Sequence, residues 1–123
     1  MTYPKGETIL CIGNGPIELN LRCALLHDHG WHVLSAGRGQ DGIRRFGKEI
    51  VDAVVLDFNG DGAEAALIAS QLKRQRSTIP IVLIVDGENT LAPGAIDQAD
   101  AVVLKAEERS KLVIALRKLL KSA

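Results

Sequence analysis

Asp57 and Lys105 are the residues of this chain whose types and positions best suit chemistry. Asp57 ends the apolar run of residues 53–57, and Lys105 directly follows the apolar run of residues 101–104. Open α/β folds bind their ligands at the carboxyl ends of buried strands, where both residues would stand. A strand-end aspartate followed by a strand-end lysine two strands later is more specific than an isolated carboxylate.

Short apolar runs that suit buried strands alternate along the chain with stretches of helical periodicity. The predicted strands cover residues 9–12, 31–35, 53–57, 80–85 and 101–104. The predicted helical stripes are Ile17, Leu21, Ala24 and Leu25; Ile43, Phe46 and Ile50; Ala65, Ile68, Ala69 and Leu72; and Leu112, Ala115, Leu116 and Leu119. Residues 86–99 allow at most a short helix. This alternation predicts parallel βαβ units with right-handed crossovers, and hence a doubly wound parallel sheet.

The composition excludes several classes of function. With 123 residues, we expect one domain, 1–123, without a separate effector domain. A formal net charge of zero and 3% aromatic residues argue against nucleic acid and membrane surfaces as partners. The sequence contains no apolar run of membrane-spanning length and no signal-peptide pattern, so we expect a cytoplasmic protein. Cys11 and Cys23 are expected to be free thiols.

Further polar residues gather at the same predicted rim of the sheet. Gly13-Asn14-Gly15 follows the first strand, Asn59 follows the third and Asp86 follows the fourth. The first of these segments does not fit a dinucleotide-binding loop, because Glu18 stands where the third glycine of that motif would fall. The sequence shows no pairing of a nucleophile with a base, so we do not expect an enzyme.

The chain resembles the receiver domain of two-component response regulators over residues 8–121. The segments that carry the resemblance are residues 8–12, residues 30–33 with Ala36 and Gly39, residues 54–57 with Gly60 and Gly62, residues 79–82, and residues 99–105. The resemblance implies a flavodoxin-like, CheY-like α/β fold with strand order 2-1-3-4-5. About five helices would flank this sheet, the fourth of them short or irregular.

The same resemblance implies a role for each site residue. Asp57 would accept a phosphoryl group from a histidine kinase or a phosphotransfer protein, and Lys105 would pair with the phosphoryl oxygens. Mg²⁺ would be held by Asp57 and by the backbone carbonyl of Asn59. Phosphoryl transfer depends on in-line positioning and on neutralisation of several oxygens, which such a site would supply.

The chain departs from the receiver pattern at the positions that surround the aspartate. Gly13 and Asn14 stand where the family has an acidic pair, and Asn14 offers Mg²⁺ only one neutral oxygen, so we expect weak metal binding. Val85 replaces the Ser or Thr whose hydroxyl contacts the phosphoryl group. Val102 replaces the aromatic switch residue, and Ala106 replaces the proline after the lysine.

Two functions remain open from the sequence. The first is a stand-alone, atypical receiver module of a two-component or phosphorelay system, with Asp57 as its ancestral phosphoacceptor. The alternative is a pseudo-receiver, a protein-interaction module that works without phosphorylation. In its resting state Lys105 would pair with Asp57, whereas Asp86 could either compensate for the lost acidic pair or repel a phosphoryl group. In both cases we expect a protein partner on the segment 87–97, the fifth strand and the last helix.

Overall fold

The five predicted strands form one parallel sheet. The computed structural model describes residues 6–58, 63–87, 94 and 97–121. The strands are β1 (Thr8–Gly13), β2 (His32–Ala36), β3 (Ala53–Asp57), β4 (Ile81–Val85) and β5 (Ala101–Leu104). Their order is β2-β1-β3-β4-β5, and every neighbouring pair is parallel. The predicted fold class and strand order are therefore confirmed.

Four α-helices flank the sheet in the described part of the chain. They are α1 (Pro16–Asp28), α2 (Gly39–Lys48), α3 (Ala63–Gln75) and α4 (Glu108–Lys121), with a 3-10 turn at Lys105–Glu107 before α4. The short helix expected between β4 and β5 falls largely on residues 88–93 and 95–96, which lie outside the described residues. No described helix has the length and apolar character needed to cross a membrane.

The sheet separates two apolar layers, and alternate residues of each central strand enter opposite layers. In β3, Val54 and Leu56 pack in the layer beneath α2 and α3, whereas Ala53 and Val55 pack in the layer beneath α1 and α4. All five residues of β3 are buried. Such two-sided burial is why the strand reads as a continuous apolar run instead of an alternating one. It also fixes Asp57 at the rim, where the run ends.

The predicted inward face of α1 is wrong. Ile17 and Leu21, which the apolar stripe placed inward, are 72% and 67% exposed. The buried residues of this helix are Leu19, Arg22 and Leu26, spaced three and four residues apart as one helical face requires. Apolar periodicity does not reveal this face because the face includes an arginine, and a buried charge is tolerated where opposite charges face it.

Boundaries of α2 and β2 also differ from the prediction. The predicted second helix includes Ile50, but α2 ends at Lys48 and Ile50 is 82% exposed. The predicted second strand includes Trp31, but β2 begins at His32. Trp31 is nevertheless buried, and its indole N–H donates a hydrogen bond of 3.2 Å to the carboxylate of Glu7. α1 ends at Asp28, shortly before Gly30, whose φ of 97° reverses the chain.

The packing of α2 on the sheet depends on Gly42. A β-carbon at this position would lie 2.3 Å from Cδ1 of Ile12, which is fully buried. We expect Gly42→Ala to lower the free energy of unfolding by about 1–3 kcal/mol through overpacking. Gly47→Ala is the matched control, since its nearest neighbour lies 3.4 Å away. Urea denaturation followed by circular dichroism should show Gly47→Ala to be as stable as the unaltered protein or more stable. Equal losses of unfolding free energy in both variants would contradict the packing argument.

Candidate functional site

The carboxyl ends of β3, β4 and β5 bring three charged residues together at one rim. Asp57 is the last residue of β3, Asp86 follows β4, and Lys105 follows β5. Lys105 Nζ lies 3.4 Å from Oδ1 of Asp57 and 3.6 Å from Oδ1 of Asp86. Asp57 is only 6% exposed, whereas the side chain of Asp86 reaches solvent. The lysine therefore links a buried carboxylate to an exposed one.

A second cation, Arg22 of α1, contacts the other oxygen of Asp57. Its Nη2 donates a hydrogen bond of 2.7 Å to Oδ2 of Asp57. The same guanidinium group donates two hydrogen bonds to Glu108, the first residue of α4. They run from Nε to Oε2 at 2.5 Å and from Nη2 to Oε1 at 2.9 Å. Arg22 is 2% exposed. Both oxygens of Asp57 thus face cations that the chain itself supplies.

The environment of Arg22 keeps its guanidinium group charged. Burial alone lowers the pKa of Arg22, but the hydrogen bonds and charges of Glu108 and Asp57 more than offset this effect. The net result is a pKa of Arg22 above its ordinary value. The linked acids Asp57, Asp86 and Glu108 and the bases Arg22 and Lys105 carry three negative and two positive charges, so the network has a net charge of −1.

Sequence reasoning missed Arg22 and Glu108 as members of the site. The available signal was spacing, because Arg22 shares a helical face with Leu19 and Leu26. A charged residue among inward positions implies a buried partner of opposite charge. The signal does not identify that partner, since Glu108 lies 86 residues away in the sequence.

The described residues do not fit Mg²⁺ at Asp57. Gly13 has no side chain and therefore offers no side-chain ligand. A β-carbon added at this position would lie 2.7 Å from the carbonyl oxygen of Asp57. Asn14 is exposed and lines a crevice with residues of α2 and α3. The searched part of the chain contains no group of three His, Cys, Asp or Glu side chains that could hold a metal. The predicted backbone ligand, Asn59, lies outside the described residues.

The two positions to which the resemblance assigns the readout of phosphorylation carry aliphatic side chains. Val85 is buried at the end of β4, and Val102 is 39% exposed on β5. Neither residue has a hydroxyl group that could bond a phosphoryl oxygen. Within the predicted partner surface, β5 and α4 are described, whereas most of the segment 87–97 is not.

Comparisons with known proteins agree with the resemblance seen in the sequence. No family model matches the chain. The sequence is 31% identical over 78 residues to Protein PilH of Pseudomonas aeruginosa. That match covers 62% of this chain and 64% of PilH, slightly less than two thirds of the length of this relative.

Solved structures of receiver domains superpose on nearly the whole chain. The response regulator TrrA of Thermotoga maritima, solved in complex with Mg²⁺-BeF, has a TM-score of 0.82 at 21% identity and covers 92% of this chain and 98% of its own. A receiver domain of Clostridium thermocellum has a TM-score of 0.83 at 22% identity, with 94% and 95% covered. A CheY-like receiver domain of Methanospirillum hungatei reaches 0.83 at 16% identity, with 95% of each chain covered. The chain therefore has the fold of CheY-like response regulator receiver domains, as the resemblance implied.

Removing the guanidinium group should destabilise the fold. In Arg22→Met, Glu108 loses the guanidinium group, and among the described residues Lys105 is left as the cation beside Asp57. We expect a loss of about 3–5 kcal/mol in the free energy of unfolding, because the half-buried carboxylate of Glu108 loses its cation and the buried carboxylate of Asp57 loses one of two. Arg44→Met is the control, since Arg44 is exposed and pairs with Asp41 on the helix surface. A loss under about 1 kcal/mol in Arg22→Met, as for a surface pair, would contradict the buried network.

The charge of Arg22 also reaches the neighbouring thiol. A hydrogen bond with Cys11 lowers the pKa of Cys23 to about 7, burial opposes this shift, and the charge of Arg22 adds to it. The hydrogen bond with Cys23 and complete burial raise the pKa of Cys11. Cys23 is half-buried, whereas Cys11 is fully buried. Cys23 is therefore the thiol that ionises first.

We expect iodoacetamide to alkylate Cys23 in the folded protein at a rate that rises as the pH passes through about 7. Cys11 should stay unmodified until the protein unfolds, because it is inaccessible. Peptide mass spectrometry after timed labelling separates the two sites. Arg22→Met should move the Cys23 profile to higher pH while Arg44→Met leaves it unchanged. A Cys23 profile centred near the ordinary thiol pKa in the unaltered protein would refute this assignment.

Proposed function

We propose that this protein is a receiver module of a signalling system that acts as a pseudo-receiver, through protein contacts without Mg²⁺-dependent phosphorylation of Asp57. The observation that carries the proposal is the state of this carboxylate. One oxygen accepts a hydrogen bond of 2.7 Å from Arg22, and the other faces Lys105 at 3.4 Å.

The chemistry of phosphoryl transfer explains why this arrangement disfavours an acceptor. The attacking carboxylate oxygen must face the phosphorus in line, and cations must neutralise the oxygens of the transferred group. Here a buried guanidinium group already engages Oδ2 of Asp57, and the side chain of Asp57 is 8% exposed. The cations of the site thus stabilise the carboxylate itself, which lowers its reactivity toward a donor.

The missing readout supports the same conclusion. In a responding receiver, a hydroxyl group after the fourth strand would detect the phosphoryl group, but this chain has Val85 there. Val102 cannot take the place of an aromatic ring that moves between buried and exposed positions. The proposed role includes no catalysis and no nucleic acid or membrane partner. It places the protein in the cytoplasm, with a protein partner on β5, α4 and the segment 87–97.

A phosphorylated receiver remains the second candidate, and the retained pair Asp57–Lys105 favours it. In that case a histidine kinase or a phosphotransfer protein would donate the phosphoryl group. TrrA has been solved with Mg²⁺-BeF, which shows that the fold accepts such a complex in a relative.

Phosphodonor labelling separates the two candidates. The protein is incubated with acetyl phosphate or phosphoramidate in Mg²⁺, and the intact mass is measured. We expect no phosphoryl adduct and no chemical-shift change at Asp57 upon addition of beryllofluoride with Mg²⁺. TrrA provides the positive control for beryllofluoride. An adduct that Asp57→Asn abolishes would show that the protein is a phosphorylated receiver and not a pseudo-receiver.

A further inference from the structure

We propose that Arg22 is the specificity-determining residue of the Asp57 site, where its guanidinium group serves as a permanent cation in place of a divalent metal ion. This inference rests on the proposed function and deepens it by naming what keeps the metal out. It predicts that metal exclusion follows the charge at position 22 and does not result only from the lost acidic pair.

The contacts of Arg22 support the inference that its guanidinium group stays permanently at Asp57. Three hydrogen bonds, all to carboxylate oxygens, hold the guanidinium group, two of them to Glu108 and one to Asp57. The two bonds to Glu108 form a bidentate pair, which fixes the plane of the group. Arg22 is 2% exposed and fully charged, so it cannot leave Asp57 for solvent without a rearrangement of α1. A metal ion exchanges with solvent, whereas this cation is part of the chain.

The positive charges beside Asp57 support the exclusion of a divalent metal ion from this carboxylate. Arg22 Nη2 lies 2.7 Å from Oδ2 of Asp57, so an ion bound to this carboxylate would stand within a few ångströms of a second positive charge. At an effective dielectric constant typical of protein sites, such repulsion lowers the affinity for a divalent ion by at least about tenfold. Lys105 adds further repulsion at Oδ1.

The residues at the end of β1 differ from the receiver pattern in a way that also disfavours a metal ion. Gly13 pairs in register with Asp57, and Asn14 follows it; both are uncharged. Because neither residue carries a carboxylate, they add no negative charge to this rim. Arg22 on α1 adds positive charge to it. Both differences lower the negative charge that a metal ion at Asp57 would meet.

The test restores a metal ligand with and without the guanidinium group. The proteins compared are the unaltered chain, Asn14→Asp, Arg22→Met/Glu108→Gln, and the triple variant that combines all three changes. Glu108→Gln avoids an unpaired carboxylate at the start of α4 once Arg22 is gone. Asn14 is exposed, so its replacement does not disturb the core. Mn²⁺ is the probe, and its site-specific broadening of amide NMR signals near Gly13 and Asp57 is titrated and then competed with Mg²⁺.

We expect no site-specific broadening in the unaltered chain or in Asn14→Asp. The triple variant should bind Mn²⁺ with a Kd at least about tenfold lower than that of Asn14→Asp. The proposal is overturned if Asn14→Asp alone binds as tightly as the triple variant, or if the unaltered chain binds the ion at Asp57. A folded triple variant that fails to bind would also overturn it.

Two further variants guard against loss of folding. Arg22→Gln/Asn14→Asp removes the charge but keeps an amide nitrogen at about the position of Arg22 Nε, which contacts Glu108, and it should bind Mn²⁺ as the triple variant does. Arg22→Lys/Asn14→Asp keeps the charge and should continue to exclude the ion. Arg74→Met/Asn14→Asp removes an exposed arginine in the last turn of α3 and should behave as Asn14→Asp. If the variants with Gln and with Lys at position 22 bind Mn²⁺ with equal affinity, the charge of Arg22 does not determine metal exclusion.

These results are separable from those on the proposed function. Phosphodonor labelling of the unaltered chain in EDTA would refute the pseudo-receiver while leaving Arg22 as the resident cation. Binding of Mn²⁺ at Asp57 without any labelling would refute the role of Arg22 while leaving the pseudo-receiver intact.

Discussion

A buried guanidinium group keeps its charge at every pH at which a protein folds, so the elements around Arg22 must supply anions to it. Asp57 at the end of β3 and Glu108 at the start of α4 supply them at distances of 2.5–2.9 Å. The ion cluster therefore ties α1, the central strand and the last helix together at one rim of the sheet. The position of α1, the geometry of Asp57 and the entry to α4 all depend on this arrangement.

The same cluster explains how the fold accommodates a buried carboxylate at the end of its central strand. A carboxylate at 6% exposure is costly unless cations or hydrogen-bond donors face it. Arg22 and Lys105 face both oxygens, and Glu108 compensates the excess charge of the arginine. The aspartate is then a structural anion of the fold, whose charge is compensated by Arg22 and Lys105.

The fold was predictable to the level of strand order because its signals are local. Each central strand is buried on both faces and forms a continuous apolar run, as in residues 53–57 and 81–84. Helix faces were predicted well where all inward residues are apolar, as for Ala65, Ile68, Ala69 and Leu72 of α3. The prediction failed on α1, where the inward face contains a charge. Apolar periodicity then selects the exposed residues Ile17 and Leu21 instead.

The sequence by itself determined the sheet, the strand-end positions of Asp57 and Lys105, and the absence of side-chain carboxylates at Gly13 and Asn14, since these follow from apolar runs and residue identity. Only the tertiary structure decided the partners of Asp57. Arg22 precedes it by 35 residues and Glu108 lies 86 residues beyond Arg22, so their meeting depends on how α1 and α4 pack on one face of the sheet. No local pattern encodes that distance. Charge pairing between remote elements is a property of packing, and here packing builds an ion cluster around Asp57.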